Sequence, residues 1–134
     1  MLDLVSVLDE YAAQYSKERV QFGLPIAMNQ GISFLIADMA TKVEAARLLV
    51  WQSAVLGDQG ERNTLASSHA KRFAADSAME VSVDAVQVYG GYGFIKEYPV
   101  EKLMRDAKLM QLYEGTSQIQ RLVIARELLL PREY

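Results

Sequence analysis

An apolar stripe at helical spacing constrains this chain more than any other feature. Ile32, Leu35, Ile36, Met39, Val43, Ala46, Val50 and Ala54 recur three or four residues apart without a break, which places them on one face of a single long helix. Leu4, Leu8, Tyr11, Ala12 and Tyr15 keep the same spacing in a first helix that runs to about Val20, where Gly23 and Pro25 stop it. Met1 falls directly onto that run with no capping residue, so the helix reads as one entered in mid-element. Gly57 and Gly60 end the second helix. Asn63 or Thr64 caps a third, in which Ala66, Ala70, Ala74, Ala78, Val81, Ala85 and Val88 line one side. Side chains that small let helices approach closely. Gly90-Gly91-Tyr92-Gly93 breaks the third helix, and a shorter one follows Tyr98-Pro99, from about Val100 to Leu112. A last helix begins after Gly115 and ends at Pro131. No segment alternates as a strand does, and the connections are short, which favours antiparallel neighbours. The expected fold is all-α: an antiparallel up-down four-helix bundle with one additional short helix, filling residues 1–134 as a single domain.

Composition removes several function classes. The chain has 134 residues and 51% hydrophobic residues, enough for one packed core and too apolar for disorder. A net charge of −3 leaves no basic footprint for nucleic acid. No run of eighteen apolar residues suggests a transmembrane segment, and the Met1-Leu2-Asp3-Leu4 start has no signal-like basic or apolar block. With no cysteines there are no disulfides and no thiolate metal sites. The single histidine, His69, reads as an ordinary helix residue, and no metal-ligand spacing occurs.

Chemistry concentrates in Tyr113-Glu114-Gly115-Thr116-Ser117-Gln118-Ile119-Gln120-Arg121. Ser117 and Gln120 fit an S-x-x-Q capping box, with the apolar residues Ile119, Leu122 and Val123 following. Glu114 therefore stands in a turn at the positive end of a helix. There it either complements the helix dipole or lies beside free backbone N–H groups that can bind an anion or polarise a carbonyl. Two further motifs carry similar alternatives. In Glu18-Arg19-Val20-Gln21-Phe22-Gly23, Arg19 either bonds the last carbonyls of its helix or offers its planar fork to a pyrophosphate. In Gln87-Val88-Tyr89-Gly90-Gly91-Tyr92-Gly93-Phe94 the glycines make either a tight helix–helix turn or a cradle for a ligand. Arg105-Asp106 reads as a structural charged pair.

Taken as longer strings, the three motifs resemble those of the acyl-CoA dehydrogenase family, in the right order and at compatible spacing. Tyr113–Arg121 resembles the segment Y-E-G-T-[SA]-x-[IM]-x-R. Glu18–Gly23 is similar to E-R-x-x-F-G, with Gln30 matching a glutamine that follows; Asn29 departs from the histidine or aromatic often found beside it. Gln87–Asp106 resembles Q-x-x-G-G-x-G-[FY]-x-x-[ED]-[YF]-P-[VL]-x-[KR]-x-x-R-D. The resemblance covers almost the whole chain and identifies it as the family's C-terminal helical domain.

The resemblance implies FAD-dependent α,β-desaturation of an acyl-CoA thioester. Glu114 would be the base that takes the α-proton, in an apolar pocket that raises its pKa and is partly walled by Tyr113. The thioester carbonyl would be held by the Glu114 backbone N–H and a ribityl hydroxyl of FAD, while the β-hydride leaves for the flavin. Gly115 would let the backbone approach substrate, and Thr116 and Gln118 would touch FAD. Arg19, Phe22 and Gln30 would hold the pyrophosphate and adenosine region, with Gln87, Gly90 and Gly91 packing on an adenosine portion contributed across a subunit boundary.

Further expectations follow from the same resemblance. The chain would assemble as a homodimer or homotetramer. The parent enzyme would pass electrons to an electron-transfer flavoprotein and would be soluble, in the cytoplasm of a bacterium or archaeon or in a mitochondrial matrix. Family members carry an N-terminal helical domain and a middle β-domain, whose motifs are absent here, so the chain alone is expected to fold without catalysing. Two other readings stand beside this one: a non-catalytic helical oligomerisation module that keeps the motifs, and a relative such as an acyl-CoA oxidase or enoyl-CoA reductase.

Overall fold

The computed structural model describes residues 2–130. Within them run α1 (Leu2–Glu18), α2 (Gln30–Asp58), α3 (Thr64–Tyr89), the short α4 (Val100–Met110) and α5 (Ser117–Leu129). The expected all-α bundle is what forms. Met1 and Pro131, read from the sequence as an uncapped start and a helix stop, lie outside the described residues.

Helix α3 is the centre of the bundle and packs against α1, α2, α4 and α5. The sequence pattern gave it one apolar side. In the fold Ala70, Ala74, Ala78, Val81, Ala85 and Val88 are joined in the interior by Ser68, Ala75, Ser77 and Ser82. Small side chains let that many neighbours reach contact, while Arg72, Phe73, Glu80, Val83 and Gln87 keep one stripe of α3 in solvent. Buried hydroxyls need partners, and Ser82 Oγ finds one by donating to the Met79 carbonyl at 2.7 Å. Around α3 the core is filled by Val5 and Leu8 of α1, Met39 and Val43 of α2, and Val100 and Ala107 of α4. Each fully buried large side chain there contributes about 1.5–3 kcal/mol.

Two local elements depart from the sequence reading. Helix α1 stops at Glu18 because the chain turns into a hairpin, β1 (Val20–Gln21) against β2 (Leu24–Pro25), with Val20 opposite Pro25. The two turn residues, Phe22 and Gly23, both have positive φ, 52° and 83°, the pattern of a two-residue type I′ turn. Strands of two residues are too short to show an alternation. At the start of α5 the cap is Thr116, not Ser117: Thr116 Oγ1 accepts from the Ile119 N–H at 3.1 Å. Ser117 lies inside the helix, and Gln120 Nε2 turns back to the Gly115 carbonyl at 3.4 Å. Both residues can cap, and the choice falls to Thr116 because Ser117 is bound to another helix. Asn63 precedes α3, but its Nδ2 donates to the Ser53 carbonyl at 3.2 Å and ties α3 to α2. In α4, Asp106 pairs with Lys102 one turn away, while Arg105 is exposed.

Candidate functional site

The residues singled out from the sequence fall into two groups at opposite ends of α3. The first surrounds the helix C-terminus. Arg19 leaves α1 with its N–H bonded to the Tyr15 carbonyl at 2.8 Å and its own carbonyl accepting from the Ile26 N–H at 2.8 Å. Its backbone is thus fixed on both sides, and its guanidinium lies over the Tyr92 ring at 5.1 Å. Arg19, Gly90, Gly91 and Tyr92 line one pocket of about 510 Å³ with Tyr15, Tyr89 and Ile26. Tyr15 and Tyr89 stack at 4.0 Å, and burial pushes both phenols up, so they present neutral aromatic walls. A side chain added at Gly90 or Gly91 would meet nothing within 4 Å, so the glycine turn opens onto free space. Phe22, at the hairpin tip, is 100% exposed. Gln30 and Gln87 are exposed too and do not line the pocket, although the Gln87 carbonyl accepts the N–H that ends α3.

The second group lies near the start of α3, in the turn between α4 and α5. Tyr113 and Glu114 share a groove of about 490 Å³ with Val50, Ala54, Ala70 and Lys71. Glu114 has φ 53° and is followed by Gly115 at 88°, a left-handed pair that points its side chain away from the bundle's own core. The carboxyl is exposed on this chain, so the enclosed apolar pocket expected around it is not formed by these residues alone. Glu114 N–H makes no hydrogen bond among the described residues. Lys71 donates to the Met110 carbonyl and lies 5.6 Å from the Tyr113 ring centre. Burial lowers its pKa, against the opposing pull of the Asp76 and Glu114 carboxylates. Tyr113 OH donates to Met110 Sδ at 2.7 Å. Gln118, one residue into the α5 register, opens onto a neighbouring polar groove with Asp76, Lys108 and Arg121.

The sequence reading gave no role to Asp76. Its carboxylate is the hub of the second group: Oδ1 accepts from Gln111 Nε2 and Ser117 Oγ, both at 2.8 Å. The signal available was its position, a carboxylate set among the small residues Ala74, Ala75, Ser77 and Ala78 of α3.

From Lys71 to Gly90 is nineteen residues of helix, so about 28 Å separates the two groups. The structure brings Arg19 to Gly90-Gly91, and Tyr113-Glu114 to Lys71, and does not bring these pairs together. Among the described residues no three His, Cys, Asp or Glu side chains cluster as metal ligands, and no helix is long and apolar enough to cross a membrane.

Residues 5–129 match the sequence profile of the acyl-CoA dehydrogenase C-terminal domain. The chain is 58% identical over 120 residues to an acyl-CoA dehydrogenase of Bacillus subtilis, an alignment covering 90% of this chain and 32% of the relative. It superposes on butyryl-CoA dehydrogenase from Megasphaera elsdenii with a TM-score of 0.94 at 47% identity, over 96% of this chain and 33% of that one. A chain from a structure described as electron transferring flavoprotein of Acidaminococcus fermentans gives a TM-score of 0.95 at 49% identity, over 97% of this chain and 34% of that one. The chain thus spans about a third of the length of each of these relatives.

Proposed function

The chain belongs to the acyl-CoA dehydrogenase family as its C-terminal helical domain, and from that premise we propose that it supplies the base, Glu114, and part of the FAD site for α,β-desaturation of an acyl-CoA. One observation carries the reading. Among the described residues, only Phe22 and Glu114 take positive φ without being glycine. That conformation costs about 1–3 kcal/mol and persists where surrounding structure enforces it, often at functional sites. Strain thus falls on one residue in each of two of the three motifs that the family resemblance singles out.

The residues at the first group suit FAD. A fixed guanidinium, aromatic walls and an open glycine turn match a ligand that joins a pyrophosphate to a flat adenosine. Arg19 would take the pyrophosphate, and Phe22 and Gly90-Gly91 would pack on the adenosine side. Gln30 and Gln87 would add polar contacts, and Thr116 and Gln118 would reach FAD from the second group. When bound, the flavin supplies the two-electron acceptor for the substrate. The 28 Å between the groups, estimated from helix rise, favours each chain serving two cofactor sites, and hence a homodimer or homotetramer. The whole protein would then take an acyl-CoA substrate and use an electron-transfer flavoprotein as acceptor.

The chain's own chemistry is then acid–base. An α-proton beside a thioester is weakly acidic, so it leaves readily only if charge on the carbonyl oxygen is stabilised as it forms. The Glu114 N–H, without a hydrogen bond among the described residues, would donate to that oxygen. The Glu114 carboxylate accepts the proton, and Gly115 leaves room for the thioester to approach. On this chain the carboxyl is wet. Covering by substrate and by the middle β-domain would strip water from it and make it a stronger base.

The test is a flavin titration of the protein comprising this domain with its N-terminal helical and middle β-domains, using butyryl-CoA as the probe. The reading predicts a yellow protein whose flavin absorbance bleaches as enoyl-CoA forms. A flavin-free assembly that still oligomerises would favour the non-catalytic module instead.

A further inference from the structure

The turn that carries Glu114 has no core of its own, since Leu112, Tyr113 and Glu114 are all exposed. It also holds two successive left-handed residues. Something outside it must set where the carboxyl points. The Gln111 carbonyl accepts from the Ser117 N–H at 3.1 Å and closes the loop at its base. The side chains of the same two residues, Gln111 and Ser117, converge on a single oxygen, Asp76 Oδ1. Arg72 Nε and Arg121 Nη2 each stand 3.7 Å from the other oxygen, Oδ2. Ser117 is 3% exposed, so its hydroxyl depends on this acceptor rather than on water. Asp76 belongs to α3, the helix that packs against all four others, so the turn is referenced to the centre of the bundle.

We propose that Asp76 is a positioning residue for Glu114: it clamps both ends of the α4–α5 turn to α3 and so fixes the direction of the base. Two arginines keep the carboxylate in place, and the two neutral donors read its position into the turn. Asp76 would act through Gln111 and Ser117. The inference rests on the proposed role of Glu114 but has a readout independent of it.

Asp76→Ala, Asp76→Asn and Ser117→Ala, made in the protein that carries all three domains, test it. A misplaced base loses rate without losing ligands, and a displacement of about 1 Å can cost about a hundredfold. Asp76→Ala should therefore lower kcat about a hundredfold at unchanged FAD content and unchanged KM for butyryl-CoA. Asp76→Asn keeps an oxygen for both donors and should recover most of the rate. Ser117→Ala, a smaller change, should show the same split if Asp76→Ala does not fold. The second readout is amide hydrogen exchange: residues 112–117 should exchange faster in Asp76→Ala while the C-terminal half of α3, residues 81–89, does not. An unchanged kcat, a loss of rate only in proportion to lost FAD, or unchanged exchange in the turn would each overturn the clamp. Normal turnover by Glu114→Gln would instead remove the base assignment, and the exchange result would still judge the clamp.

Discussion

Single side chains carry the site's electrostatics. Among the described residues, Arg19 is the one cation lining the aromatic pocket at the end of α3. A charge-assisted bond contributes about 1.5–3 kcal/mol, so Arg19→Ala should weaken FAD retention about tenfold or more, read as flavin bound per chain after gel filtration. Unchanged flavin content would count against a pyrophosphate role. Asp9 tests burial away from the site. Its Oδ1 finds no hydrogen-bond partner among the described residues, and burial first, then the neighbouring Glu10, raises its pKa from the ordinary 3.8. The folded chain therefore holds this proton more tightly than the unfolded chain does. The stability it contributes is full below pH 3.8 and is lost as pH rises through the raised folded value. Asp9→Asn should raise Tm at pH 7, with the gain vanishing near about pH 3; an equal gain at both pH values would contradict this.

At the scale of elements, the helices were legible because their periods are long and their breakers strong. Ile32 through Ala54 needed only spacing. The hairpin at Val20–Pro25 was not legible, because two residues per strand carry no period. The α5 cap was read one residue late: Thr116 and Ser117 are both good caps, and only the tertiary bond from Ser117 to Asp76 decides between them. Asp76 was missed for a related reason, since its partners lie 35 and 41 positions away. The motif residues were found because chemistry there is local in sequence, whereas their separation along α3 needed the fold. The glycine turn makes one further prediction. A Cβ at Gly93 would lie 2.6 Å from the Val86 carbonyl oxygen and 2.9 Å from Tyr89 Cβ. Gly93→Ala should therefore destabilise the bundle by about 1–3 kcal/mol, seen in urea melts; a neutral result would mean the end of α3 yields.

For the whole molecule, the exposed surface bears on assembly. Helix α5 shows Ile119, Leu122 and Leu129 to solvent, and α2 shows Phe34 and Trp51. These are side chains that the proposed oligomer would cover. The isolated chain should elute above its monomer position, and Leu122→Ser with Leu129→Ser should shift it down; monomeric wild-type protein would argue against assembly through α5. On the proposed function, completing the enzyme would take other domains and another copy, so the base is judged in that assembly. The decisive measurement there is enoyl-CoA formation from butyryl-CoA by Glu114→Gln at full FAD occupancy. Loss of an aligned general base costs about 10²–10⁴ in rate, so the account predicts a fall of at least that size with flavin still bound. Turnover equal to the unaltered enzyme would contradict it.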